Sequence, residues 1–325
     1  MARVLVTRRL PPGGLDLLTE AGHELVEPIG DGGLTHDEIV ARAPDVDAIV
    51  SLLMDRIDAA VLSAGAPRLR VVANVAVGYD NIDLDAATRH GIAVCNTPGV
   101  LDETTADLAF LLVLAAARRA WEAESDLRAG RWPGWDIDQY LGRDVHGAVL
   151  GVVGFGRLGQ AVARRASGFG MEVLHHTRSD TGLPGWQGDL DRLLAESDIV
   201  TLHVPLTDAT RHLIDHRRLR LMKPEAVLVN TSRGPVVDEE ALASALEEGT
   251  IFAAGLDVYE REPEVHPRLL AAPRTVLFPH IGSASVATRT RMAQVAAENV
   301  VAVLAGERPP NPVPGGERAS SRDRS

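Results

Sequence analysis

The sequence predicts an α/β fold of two doubly wound parallel-sheet domains with a cleft between them. Short apolar, β-rich runs alternate with helical patterns almost from end to end, the rhythm of parallel strands joined by crossover helices. The alternation comes as two series, separated by one long Ala- and Leu-rich segment and closed by another. The second series opens with glycines in G-x-G-x-x-G spacing directly after an apolar run. Both domains are therefore expected to be Rossmann/flavodoxin-like.

In chain order, residues 3–7, 48–52, 70–74 and 93–96 read as strands, with helical stretches at 12–21, 35–42, 59–64 and 84–89. Residues 102–119 form the first long helix, with Asp102 as its expected N-cap. A polar, Trp-rich stretch follows at 128–144, turning at Pro133-Gly134. Strands are then expected at 149–153, 172–175, 199–203, 227–230, 253–256 and 275–278, enough for one complete doubly wound unit. A last helix at 285–305 leads back, so the first domain is discontinuous: 1–98 with 284–313, against 99–283 for the dinucleotide-binding domain. Residues 314–325, rich in Pro, Gly, Ser and charge, are expected to be a disordered tail.

The 325 residues suffice for two cores. A net charge of −12 argues against wholesale binding of nucleic acid, which needs basic surfaces, but not against a local cationic pocket. No apolar stretch approaches the roughly 18 residues of a membrane span. The lone cysteine, Cys95, excludes an internal disulfide framework and lies in an apolar run, where a buried inert thiol is expected. With no signal-like apolar core at the N-terminus, the expected address is cytoplasmic. The histidines lack ligand spacing, so no metal site is expected.

Gly154, Gly156 and Gly159 follow the strand at 149–153 and open a helical run, as pyrophosphate binding requires. The first glycine permits the tight turn, the second admits the phosphates, and the third packs helix on strand. Arg157 and Leu158 fall at the helix start, where backbone N–H groups and the helix dipole meet the phosphates. The next strand ends in His175-His-Thr-Arg-Ser, placing Thr177 where an NAD site carries an acid. Arg178, beside Ser179, can grip a 2′-phosphate, so NADP(H) is the expected cofactor. Asp180 keeps NAD(H) open as the alternative.

Three polar groups follow strand C-termini: Arg233, Glu262 and His280. Reduction of a keto acid needs these kinds of group. A guanidinium clamps the carboxylate, a histidine donates the proton, and a carboxylate orients the histidine and stabilises its protonated form. Each alone reads as an ordinary surface residue, and Glu260 and Glu264 flank Glu262; joint placement at successive strand ends singles them out.

The chain resembles the D-isomer-specific 2-hydroxyacid dehydrogenases over about residues 3–313. The matching segments are Asn74-Val-Ala-Val-Gly-Tyr-Asp-Asn-Ile-Asp, the Gly154 motif, His203-Val-Pro-Leu-Thr, Asn230-Thr-Ser-Arg-Gly, Gly255-Leu-Asp-Val-Tyr and Pro279-His-Ile-Gly-Ser-Ala. Within that family it looks most like the glyoxylate/hydroxypyruvate reductases, through Leu52-Leu-Met-Asp-Arg-Ile-Asp and His176-Thr-Arg-Ser. The resemblance implies Arg233 as substrate clamp, His280 as acid/base and Glu262 as its partner. It implies that the N–H groups of Val77 and Gly78 receive the substrate carboxylate, with Leu53 and Met54 as a small apolar wall and Ser283 nearby. It also implies that Asp257 faces the nicotinamide carboxamide, while Pro205, Thr231 and Gly282 line the dinucleotide site. A homodimer is expected, with Trp132 and Trp135 in a segment that approaches the neighbouring subunit in relatives. Two alternatives stay open: a same-fold dehydrogenase for another acid, such as an aryl pyruvate or phosphoglycerate, and a non-catalytic dinucleotide-sensing corepressor.

Overall fold

Along the first strand, Val4 and Val6 enter one apolar layer and Leu5 enters another, so the strand is buried on both faces. A parallel sheet covered by helices on either side requires this. The computed structural model describes residues 1–26 and 32–316. They divide into two units, Met1–Leu101 with the chain from Ser283 onward, and Asp102–Gly282.

The first unit holds five parallel strands: β1 (Arg3–Val6), β2 (Glu24–Val26), β3 (Ala48–Ser51), β4 (Val71–Asn74) and β5 (Ala93–Cys95). Their order, β2-β1-β3-β4-β5, is flavodoxin-like. β2 has no counterpart in the sequence expectations: it is three residues long, exposed at Glu24, and carries no buried alternation to announce it. One face of this sheet is covered by the helix Val286–Ala305, through Met292, Ala296, Ala297, Val300 and Val303. That helix is capped by Ser285, whose Oγ accepts from Thr288 N–H at 3.1 Å, and it stops at left-handed Gly306. The chain then returns to β5, where Val313 N–H donates to Val94 C=O at 3.0 Å. Of the expected tail, residues 314–316 form a turn in which Gly316 N–H donates to Val313 C=O at 2.8 Å. Residues 317–325 lie outside the described residues.

The second unit holds β6 (Val149–Val153), β7 (Glu172–His176), β8 (Ile199–Leu202), β9 (Val227–Asn230), β10 (Ala253–Leu256) and β11 (Thr275–Leu277). All are parallel, in the order β11-β10-β9-β8-β6-β7. A single bridge between His175 and Trp186 extends the sheet beyond β7. Counted as a third strand, it turns the local order into the 3-2-1-4-5-6 of a dinucleotide-binding fold. The helix Asp102–Ala117 packs Ala106, Ala109, Phe110, Leu112 and Val113 onto one face. Asp102 is its first helical residue rather than its cap, and its carboxylate pairs with Arg157 at 3.0 Å. A further helix, Ala120–Arg128, starts after left-handed Arg119 and buries no side chain, so no apolar period foretells it. Among the described residues no helix is long and apolar enough to cross a membrane.

Candidate active site

The turn from β6 into the helix Arg157–Ser167 shows why its three glycines differ. Gly154 has φ +94°, and a Cβ there would lie 2.7 Å from the His203 carbonyl oxygen. A Cβ on Gly159 would collide with the Gly154 carbonyl oxygen. Around Gly156 a Cβ would meet nothing within 4 Å, so open space faces the backbone at the helix N-terminus. Those are the requirements for a turn, a close helix–strand contact and an approaching phosphate. Phe155 stacks on His175 with ring centroids 3.8 Å apart, bracing the turn against β7.

Beyond the end of β7, the Thr177 hydroxyl donates to Ser179 C=O at 2.7 Å and accepts from Trp186 Nε1–H at 3.2 Å. Asp180 turns outward, its Oδ1 taking Gly182 N–H at 2.8 Å. Arg178 is exposed. The cationic side chain is therefore accessible at the strand end, while the Asp180 carboxylate accepts a hydrogen bond in the following turn.

The loops after β9, β10 and β11 bring titratable groups together. His280 Nδ1 lies 2.8 Å from Glu262 Oε2, and both side chains are about three-quarters buried. A carboxylate can only accept, so Nδ1 carries the proton in this bond and Nε2 is left for a ligand. Glu262 Oε1 accepts from Tyr259 N–H at 3.0 Å. Burial alone would raise the Glu262 carboxyl, but His280, Tyr259 N–H and the Arg233 charge outweigh it and hold it below the usual carboxylate range. His280 itself has φ +54°, a left-handed conformation that costs a non-glycine residue about 1 kcal/mol or more. Asp257, which is fully buried, holds the turn in place: its two oxygens take Ile281 N–H at 2.7 Å and Gly282 N–H at 2.8 Å. Burial pushes the Asp257 carboxyl up to about 6, against the pull of those N–H groups and His280.

Arg233 is placed by Asn230, the last residue of β9. Asn230 Nδ2 donates to Arg233 C=O at 2.9 Å, and its Oδ1 accepts from Ser232 N–H and Oγ–H at 3.0 and 2.8 Å. Gly234 follows because any Cβ would overlap the Tyr259 carbonyl. Thr231 Oγ1 is buried and has no hydrogen-bond partner among the described residues. A buried hydroxyl left so is expected to meet a ligand.

The D-isomer specific 2-hydroxyacid dehydrogenase NAD-binding domain model matches residues 110–282. A glyoxylate reductase of Thermococcus onnurineus is 49% identical over 318 residues, covering 95% of this chain and 94% of that one. This chain belongs to the D-isomer specific 2-hydroxyacid dehydrogenases. It is an oxidoreductase with a NAD-binding domain. A Thermus thermophilus protein of known structure is 47% identical, with TM-score 0.90 over 96% of this chain and 100% of that one. The NADPH-dependent glyoxylate/hydroxypyruvate reductase of Sinorhizobium meliloti, solved with NADP and malonate, is 35% identical, with TM-score 0.86 over 100% and 99%.

In this dehydrogenase the structure brings together His280, Glu262 and Asp257, with the Arg233 charge acting on Glu262. Gly154, Gly156, Arg157, Leu158 and Gly159 share one turn, and Thr177, Arg178 and Ser179 share the next strand end. Leu53, Val77, Gly78 and Ser283 belong to the first unit. Leu53 is half-buried and Met54 is 53% exposed, so neither is a core residue. Sequence reasoning missed Asn230 and the loop-holding bonds of Asp257. Both act through backbone, and only their position at or just past a strand end, before a polar motif, could have flagged them.

Proposed function

We propose that the protein reduces a small 2-keto acid, such as glyoxylate or hydroxypyruvate, to the D-2-hydroxy acid with NADP(H). The observation that carries this reading is the His280–Glu262 pair at 2.8 Å, with Nε2 left to donate, beside the Arg233 loop. The glyoxylate reductase relatives support the substrate class.

The residues fit a dinucleotide. Backbone at Gly156, Arg157 and Leu158 would hold the pyrophosphate, where open space lies above Gly156. Arg178 would hold a 2′-phosphate, with Thr177 and Ser179 shaping the turn; Pro205, Thr231 and Gly282 would line the dinucleotide site, and Asp257 would face the nicotinamide carboxamide. When bound, the reduced nicotinamide supplies the hydride to the carbonyl carbon. The Arg233 guanidinium clamps the carboxylate and polarises the carbonyl; within the first unit, the Val77 and Gly78 N–H groups are the proposed carboxylate donors. His280 Nε2 gives its proton to the carbonyl oxygen, completing the hydroxyl, and Glu262 orients the ring through Nδ1. The small side chain of the substrate would rest against Leu53 near Ser283.

A homodimer is part of the same reading. Trp121, Leu127, Trp132, Trp135, Ile137 and Leu141 are all exposed within one short stretch, and exposed apolar side chains grouped this way suit an association surface. The cytoplasm is the proposed address, and the free, buried Cys95, whose thiol burial pushes up to about 12, suits a reducing compartment.

The test is steady-state oxidation of NADPH and of NADH with glyoxylate and with hydroxypyruvate. NADPH is expected to give the higher kcat/KM, and Arg178→Ala to weaken NADPH more than NADH. Turnover with NADH alone would overturn the cofactor assignment. Dinucleotide binding without turnover of either acid would favour the sensor alternative.

A further inference from the structure

The turn after β4 has an unusual hydrogen-bond pattern. Three successive carbonyls are each held: Ala76 C=O by Thr97 N–H at 2.9 Å, Val77 C=O by Asn96 Nδ2 at 2.7 Å, and Gly78 C=O by Asn74 Nδ2 at 2.9 Å. In a planar trans peptide the N–H points opposite to the C=O. The N–H groups of Val77, Gly78 and Tyr79 therefore face away from these anchors. None of the three has an acceptor among the described residues, and all three residues are partly exposed.

The anchors are themselves fixed. Asn74, fully buried, accepts from Ser51 Oγ–H at 3.1 Å and donates to Asn81 Oδ1 at 3.1 Å. Asn81 Nδ2 in turn donates to Leu52 C=O and Asp55 C=O at 3.1 and 2.9 Å. Asp55 takes Leu52 N–H at 2.8 Å and the Thr7 hydroxyl at 2.5 Å, so the loop bearing Leu53 is tied to the same network. Asn96 is locked through its backbone: its N–H donates to Asn311 C=O at 3.2 Å and its C=O accepts from Asn299 Nδ2 at 3.3 Å. Every side chain on this path to the turn except Asp55 is an uncharged amide or hydroxyl. The polar pull on an anion would come from aligned peptide dipoles, as in other backbone anion nests.

We propose that Asn96 and Asn74 are positioning residues for substrate recognition, holding the Val77 and Gly78 carbonyls so that the Val77, Gly78 and Tyr79 N–H groups form a three-donor seat for the substrate carboxylate. This rests on the keto-acid reading above and adds to it the third donor and the two amides that aim the row. Because the seat is built in advance, its effect falls on carboxylate binding rather than on the chemical step.

Two measurements test it. Peptide-resolved amide exchange of the wild-type enzyme with NADP, with and without oxalate, reads the seat itself. Slower exchange at residues 77–79 on adding oxalate is expected; no change there overturns both the seat and the proposal. Asn96→Ala and Asn96→Asp then read the positioning role, the second keeping the side-chain shape while removing the donor. Each is expected to raise KM for glyoxylate about tenfold, the effect of one lost hydrogen bond, with kcat and NADPH affinity within about twofold of wild type. Asn74→Ser supplies an independent variant should either fail to fold, with the same expectation. Protection by oxalate together with unchanged KM in the folded variants would overturn the positioning role and leave the carboxylate seat standing. An equal fall in kcat and in NADPH affinity would likewise overturn it.

Discussion

The loops after β4 and after β9 use the same device for different ends. Each begins with a buried asparagine at the end of its strand, and each asparagine reaches forward to a carbonyl: Asn74 to Gly78, Asn230 to Arg233. After β4 the held carbonyls turn bare N–H groups outward, and the chain adds no charged side chain at residues 77–79. After β9 the held carbonyl places a guanidinium, and the neighbouring loops add Glu262, His280 and the turn-holding Asp257. Backbone N–H groups can seat a carboxylate without titrating, and in the proposed site they act alongside the Arg233 guanidinium. Proton transfer instead needs a group that gains and loses a proton, and such a group must be oriented by others.

That contrast predicts a graded set of effects. The largest is expected at His280. His280→Asn tolerates the left-handed φ better than most residues while removing the acid, so kcat should fall about 10²-fold or more with NADPH affinity unchanged. Near-normal turnover would remove the acid role and leave only recognition in both regions. Asp257→Ala comes next: with Ile281 and Gly282 N–H unpaired, the strained His280 turn should relax and kcat fall by about tenfold or more. A loss in KM alone would place Asp257 with the recognition groups instead. Asn230→Ala should raise keto-acid KM about tenfold by freeing the Arg233 loop, a direct counterpart to the Asn96 variants. If it lowered only kcat, the parallel between the two asparagines would break.

The smallest effect is one of stability. Glu262 is held below its ordinary range in the folded protein, so its contribution is present above the usual carboxylate pKa and is lost as pH falls through the folded value. Thermal denaturation of wild type against Glu262→Gln should show a gap of about 1–2 °C at neutral pH that closes in acid. A gap that widened in acid would reverse the sign assigned to Glu262.

Much of this was legible because apolar periodicity and turn chemistry are local. The strands at Val149–Val153, Val227–Asn230 and Ala253–Leu256 end where the apolar runs end. The spacing of Gly154, Gly156 and Gly159 is enough to announce the tight turn and the close helix–strand contact. Arg233, Glu262 and His280 were visible because each follows a strand end in a recognisable motif. What stayed hidden depends on partners distant in sequence. Asn96 is tied to Asn299 and Asn311, some 200 residues away in the chain. His280 has a left-handed φ next to a turn whose Ile281 and Gly282 N–H groups Asp257 holds, and no local pattern announces a non-glycine residue there. Glu24–Val26 and Ala120–Arg128 were missed for a simpler reason: neither buries a periodic apolar face.

A reductase that makes a D-2-hydroxy acid must deliver hydride to one face of the keto acid only. The most direct measurement is the chirality of the glycerate formed from hydroxypyruvate and NADPH by the wild-type enzyme. D-glycerate in large excess is expected. L-glycerate, or a racemic product, would contradict the D-2-hydroxy acid assignment.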